Sequence, residues 1–247
     1  MSFGGFKVMA IVLDAPRNLS VTTLSPPQTS LQAIKRAVVW ATEEGVPIQL
    51  YNVSWPIYQA AAQAFWGRQN PRFYYEKGNL LIMPNSSKHE RSNYYAELFV
   101  STVTEEWEID CVGLGSTTYQ NEELAEGFEP DSCFYFQHEA EMRGKDKLDM
   151  ATDPPPELII EIDITSLSTK RQSIYAAFGV PEIWRYDGAR AEILRLTDER
   201  YMPHDTSLAL PLVTAEKLTE FLRLSQSLSR LGWLKQVRAW AREQAAK

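Results

Sequence analysis

Cysteine is scarce in this chain of 247 residues, which holds only Cys111 and Cys133. Two thiols cannot build the disulfide framework of a small secreted scaffold. They suit a reducing cytoplasm, where each fills space as a small apolar side chain. Of the three histidines, His138 and His204 have no partner at metal-ligand spacing. No apolar run is long enough to span a bilayer, so no membrane partner is expected. The short apolar stretch Val8 to Leu13 follows Lys7, but no Ala-x-Ala-like site comes after it. It reads as a strand or loose leader rather than a secretory signal. Positive charge is in deficit, with 25 Lys and Arg against 32 Asp and Glu and a net charge of -7. That counts against a protein that coats nucleic acid by bulk electrostatics and leaves room for a local basic surface. Internal repeats, low-complexity tracts, a phosphate-cradling Gly-rich loop and a Gly-x-Ser-x-Gly elbow are all missing.

What remains is an ordinary globular composition, 44% apolar and 23% charged, long enough for one large domain with a core. Leu31, Ile34 and Val38 recur at helical spacing and predict a helix from Leu31 to Glu44, stopped by Gly45 and Pro47. Ser54 caps a second helix to about Trp66, with Pro56 tolerated in its first turn. Arg72 to Pro84 reads as a hairpin about a Glu76-Lys77-Gly78-Asn79 turn. Ser87 is the expected cap of a helix whose stripe is Tyr95, Leu98, Phe99, Thr102 and Val103, ending before Trp107. Strands are expected at Ile109 to Val112, Ser116 to Tyr119 and Ser132 to Phe136, with an acidic loop over Asn121 to Glu129. His138 to Pro156 reads as loop.

Leu158 to Ile162 is a short apolar run, as for a strand buried on both faces. A helix from about Lys170 to Phe178, closed by Gly179, leads to a strand over Glu182 to Tyr186. Asp187-Gly188 then turns the chain into another strand, Ala191 to Leu196. Strand, helix, strand favours a right-handed crossover between parallel strands. The fold class is therefore α/β, an α+β mixed sheet flanked by helices. The tail from Thr214 to Lys247 reads as helical. Leu228, Leu231, Leu234 and Val237 lie near one side. Lys235, Arg238 and Arg242 lie on another, either as a solvated basic face or as a contact surface for phosphate or a second subunit.

One constellation carries chemistry. Asp131 follows Glu129-Pro130 at the opening of a strand, and the buried strand carries Glu161 and Asp163. Alternation sets Glu161 and Asp163 on one face. Ionised carboxylates in an apolar strand are costly unless paired or bound to metal. Convergence of Asp131, Glu161 and Asp163 would suit a hard divalent cation such as Mg²⁺, with Mn²⁺ as an alternative. Such a site can hydrolyse a phosphodiester, with Lys170 or Arg171 at the next helix start stabilising charge or orienting water. Each residue also has a plainer reading: Asp131 and Asp163 as turn formers, Lys170 and Arg171 as solvated charges, and Tyr175 and Trp184 as core.

The stretches PPELIIEIDITSLSTKRQSIYAAFGVPEIWRYDG, GLGSTTYQNEELAEGFEPDSCFYF and FYYEKGNLLIMPNSSKHER resemble, in that family's order, the Uma-two family of bacterial proteins assigned as endonucleases. That family lies within the PD-(D/E)xK phosphodiesterase superfamily. The resemblance implies a restriction-endonuclease-like core and Mg²⁺-dependent DNA cleavage. It matches Asp131 to the motif aspartate and Glu161 to the motif glutamate. The superfamily lysine position holds Asp163. The family's displaced lysine, four residues before Tyr175, matches Arg171, with Lys170 one place earlier. His89 and Glu90 match second-tier polar positions. The expected layout is an N-terminal extension with a helix (1–50), the nuclease domain (51–213) and a packed C-terminal helical segment (214–247). The partners expected are DNA and a second copy in a homodimer, in the cytoplasm. Two alternatives stay open: a catalytically inactive relative serving as a binding or assembly module, and a glycoside hydrolase using the carboxylate pair.

Overall fold

A computed structural model of the chain describes residues 29–65, 70–163 and 171–246. In chain order it begins with α1 (Leu31–Glu44), β1 (Ile48–Leu50), α2 (Trp55–Ala64), β2 (Arg72–Glu76) and β3 (Asn79–Met83). Then come α3 (Ser87–Glu106), β4 (Val112–Gly113), β5 (Tyr119–Asn121), β6 (Glu126–Phe128), β7 (Ser132–Tyr135) and α4 (Glu139–Met142). It closes with β8 (Leu158–Ile162), α5 (Gln172–Ala177), β9 (Glu182–Tyr186), β10 (Ala191–Thr197), β11 (Arg200–His204), α6 (Ala215–Leu224) and α7 (Arg230–Ala245). These elements fall into two compact units, 29–85 with 122–127 and 86–121 with 128–246.

In the first unit, α1 begins where the Ser30 hydroxyl accepts from Ala33 N and ends at Gly45, whose positive φ of 68° lets its N–H close on Ala41 O. Its buried residues Ile34, Ala37, Val38 and Ala41 form the predicted stripe. The hairpin β2–β3 pairs Arg72 with Met83 through Glu76 with Asn79. Lys77 and Gly78 take positive φ of 44° and 93°, the two-residue turn whose twist suits a hairpin. β1 adds antiparallel to β3; three residues are too few to show a period in sequence. Glu126 and Gly127 pair with β2 on its other side, inside what reads from sequence as an acidic loop. Tyr58 stacks on Tyr75 with ring centroids 4.4 Å apart.

The second unit is built on a six-stranded sheet in the order β11-β10-β9-β8-β7-β4. Only β8 and β9 run parallel, as the strand-helix-strand pattern requires; β7 meets β8 antiparallel. All five residues of β8 are buried. Phe134, Ile160, Ile162 and Trp184 share one core with Phe99 of α3, Phe221 of α6 and Trp233 and Val237 of α7. This is the expected mixed sheet flanked by helices. Several boundaries differ from expectation. The cap of α3 is Ser86, whose hydroxyl accepts from His89 N at 3.2 Å, one residue before Ser87. β4 and β5 start later than the strands predicted there, β11 follows β10 unannounced, and α4 lies in the predicted 138–156 loop. Short polar strands such as Arg200–His204, mostly exposed, carry little apolar alternation to detect.

The tail forms α6 and α7. Trp107 Nε1 donates to Ala241 O at 2.9 Å. Arg238 bonds Glu105 and Glu106, and Arg242 bonds Glu106. The basic face expected to meet solvent or a phosphate backbone is thus tied to α3 through Arg238 and Arg242, while Arg242 and Lys235 both stay exposed. Among the described residues no helix is long and apolar enough to cross a membrane.

Candidate active site

Asp131, immediately before β7, and Glu161 of β8 are the two residues at the centre. The register of β7 and β8 pairs Ser132 with Ile160, Cys133 with Ile159 and Phe134 with Leu158. One step further along the same ladder, Asp131 stands opposite Glu161. Directly opposed residues of antiparallel strands share a face, with Cβ atoms ordinarily about 4.5–5.5 Å apart. Asp131 is 3% exposed and Glu161 1%, so two carboxylates lie in a dry part of the sheet, where each needs donors.

Asp131 receives them from two directions. Its Oδ2 accepts from Ile162 N at 2.6 Å and lies 2.9 Å from His89 Nε2. The Asp131 carbonyl accepts from Asn93 Nδ2 at 3.2 Å. Asn93 Oδ1 accepts from Ser132 Oγ at 3.0 Å, and Ser132 Oγ also bonds Glu97. His89, Asn93 and Glu97 are spaced one helical turn apart, so a single edge of α3 grips the opening of β7. The structure thus brings His89 beside Asp131; Asn93, Glu97 and Ser132 carry no motif and emerge only from the packing. The Glu90 carboxylate lies 3.5 Å from His89 Nδ1 and is half exposed.

Glu161 is held by α5. Tyr175 Oη donates to Glu161 Oε1 at 2.7 Å, and Arg171 Nη1 lies 2.8 Å from Glu161 Oε2. Arg171 and Tyr175 are four residues apart, which brings both to one side of the short helix. Arg171 Nη2 also reaches Asp163 Oδ1 at 3.8 Å, so Glu161 and Asp163 do share a face. Tyr175 is buried against Phe128, ring centroids 5.0 Å apart, as a core aromatic should be. Its hydroxyl is the part that a core reading misses. Lys170 lies outside the described residues.

The arrangement is a carboxylate pair with a guanidinium and an imidazole attached. Among the described residues no three His, Cys, Asp or Glu side chains form a group that could hold a metal ion by themselves. A Mg²⁺ ion needs only one or two carboxylates, because it keeps several waters. The hard oxygens of Asp131 and Glu161 therefore fit it in donor chemistry, with Arg171 as a competing positive charge. Two other buried groups lie apart from this chemistry. Glu182 accepts from Trp184 Nε1 at 2.7 Å, Ser207 Oγ at 2.6 Å and Leu208 N; burial raises its pKa, and it anchors the chain after β11. Burial pushes the Cys133 thiol up to about 12, which leaves it unreactive.

A crystal structure described as "a putative nuclease belonging to DUF820" from Anabaena variabilis is similar over 62% of this chain and 92% of that one, at 16% identity and a TM-score of 0.43. Nothing among curated proteins matches the chain. The model of the Uma2 family, described as "Putative restriction endonuclease", matches residues 58–229, which include Asp131, Glu161, Arg171 and His89. That match spans well over half of the 247 residues, and the chain belongs to the Uma2 family.

Proposed function

We propose that this protein is an endonuclease that hydrolyses DNA phosphodiester bonds at Asp131 and Glu161 with a divalent cation, Mg²⁺ or Mn²⁺. The observation that carries the reading is the opposition of two buried carboxylates on adjacent strands, in a chain of a restriction-endonuclease family. Asp131 and Glu161 would hold the cation. When bound, it would neutralise charge on the phosphate and lower the pKa of a water.

The chain's own groups do the rest. Ile162 N and His89 Nε2 fix the Asp131 carboxylate, and Tyr175 Oη fixes Glu161. Arg171 holds a permanent positive charge beside Glu161. There it can stabilise the charge that builds on the phosphoryl oxygens as water attacks and the bond to the leaving oxygen breaks. Arginine keeps its proton near neutral pH, so Arg171 cannot take one from water. Lys170 is the candidate for that step. A cytoplasmic homodimer belongs to the same proposal, supported by the two unbridged cysteines and by the prevalence of twofold oligomers.

A second reading is favoured by Arg171 itself. A guanidinium seated on Glu161 supplies the positive charge a metal would bring, as an inactive relative that binds without cutting would have it. One experiment decides. Purified protein is incubated with plasmid and with single-stranded DNA in Mg²⁺ or Mn²⁺, alongside Asp131→Asn and Glu161→Gln. The nuclease reading expects cutting that both substitutions abolish. Cutting that survives both places the chemistry elsewhere. No cutting, with no metal binding by calorimetry, supports the inactive relative.

A further inference from the structure

Helices α3 and α7 run side by side, and their two ends differ in charge. At the far end Arg238 and Arg242 are bonded to Glu105 and Glu106. At the near end stand Lys88 and Arg91 of α3 and Arg230 at the start of α7, all exposed, and among the described residues none of the three makes an ion pair. Lys88 and Arg91 flank His89, whose Nε2 is 2.9 Å from Asp131. Arg230 Nε donates to Tyr94 Oη at 2.6 Å. Tyr94 is 43% exposed and braced edge-on by Tyr95 at 5.4 Å, which in turn packs on Trp233 at 5.0 Å. The one carboxylate on this stretch, Glu90, lies beside His89 Nδ1.

We propose that Lys88, Arg91, Tyr94 and Arg230 form a track that holds a single nucleic-acid strand by its phosphates and leads it to Asp131. The proposal rests on the reading of Asp131 and Glu161 as a phosphodiester-cleaving site and adds which surface the substrate takes and in what form. The chain's net charge is -7, so attraction to phosphate must be local, and here two cations flank His89, the neighbour of Asp131, while a third is bonded to Tyr94 of the same helix. Each phosphate they neutralise releases counterions. An aromatic ring, rigidly backed and beside a cation, offers a face to an unpaired base, which a stacked duplex cannot present.

The test is fluorescence anisotropy of a labelled single-stranded oligonucleotide and its duplex in EDTA, where nothing is cut. Arg91→Glu and Arg230→Glu should each weaken single-strand binding about tenfold at roughly 100 mM salt and lower the salt slope by about one. Arg200→Glu, the same charge change on exposed β11, should weaken it less than about twofold. Tyr94→Ala should weaken single-strand binding about fivefold or more and spare the duplex. The track is overturned if Arg200→Glu matches Arg91→Glu, if Tyr94→Ala affects both forms alike, or if the unaltered protein binds neither. Binding through these residues without cutting in Mg²⁺ or Mn²⁺ would keep the track and remove the nuclease. Cutting with binding indifferent to the reversals would do the opposite.

Discussion

The guanidinium of Arg171 lies 2.8 Å from the carboxylate of Glu161, and both side chains are almost wholly buried, at 5% and 2% exposure. Removing one partner of a buried pair strands the other charge and costs about 3–5 kcal/mol. Arg171→Ala should therefore melt at a markedly lower temperature than the parent. If Glu161 can take a metal, Mg²⁺ should raise the melting temperature of Arg171→Ala more than that of the parent, because the ion replaces the lost charge. Equal shifts would mean that Glu161 is no ligand. Scanning calorimetry with and without Mg²⁺ reads both quantities.

Tyr175 gives a cleaner probe of the same carboxylate. Tyr175→Phe keeps the ring against Phe128 and removes only the hydroxyl that donates to Glu161. A hydrogen bond to a charged group contributes about 1.5–3 kcal/mol. Urea unfolding should register that loss. A change within error would mean that Glu161 is protonated, or that water substitutes for the hydroxyl.

The contact of α7 with α3 should respond to acid. Arg242 and Arg238 hold the Glu106 carboxyl below its ordinary value. A carboxyl depressed in the folded state contributes stability above its unfolded pKa and loses it as pH falls through the folded one. The parent should thus be more stable than Glu106→Gln at neutral pH, and the difference should close below the usual carboxylate range. Trp107 and Trp240, packed together at 5.9 Å, report the transition by fluorescence. A gap that persists at low pH would show that the glutamine acts through packing rather than charge.

In the first unit, Gly127 passes close to the hydroxyl end of Tyr58, and a Cβ built there would clash with the Tyr58 hydroxyl and lie 2.9 Å from Cζ and 3.0 Å from Cε1. Tyr58 is itself stacked on Tyr75 and has no room to retreat. Gly127→Ala should destabilise by roughly 1–3 kcal/mol through overpacking. Tyr58→Ala in the same background should relieve the clash, so that the two changes together cost less than their sum in thermal unfolding.

Much of this was legible in the sequence for local reasons. α1 could be read because its stripe, cap and Gly45 stop all agree. The β2–β3 hairpin could be read because its Lys77-Gly78 turn admits positive φ, and β8 because a short apolar run bounded by polar residues has few other uses. β6 and β11 escaped because Glu126 and Arg200 give no apolar period, and their pairing depends on strands distant in the chain. Asp131, Glu161, Arg171 and His89 were visible as residues of the right type, two of them in the midst of apolar surroundings.

What the sequence alone determined was the set of acidic and basic side chains and the strands that carry Glu161 and Asp131. Tertiary structure decided the partners. Register set Asp131 opposite Glu161, the turn of α5 brought Arg171 and Tyr175 onto Glu161, and one edge of α3 laid His89 and Asn93 on Asp131. The physical reason is that burial makes each carboxylate seek whichever donor the packing brings within about 3 Å, and that distance is a property of the folded sheet, absent from any stretch of the chain.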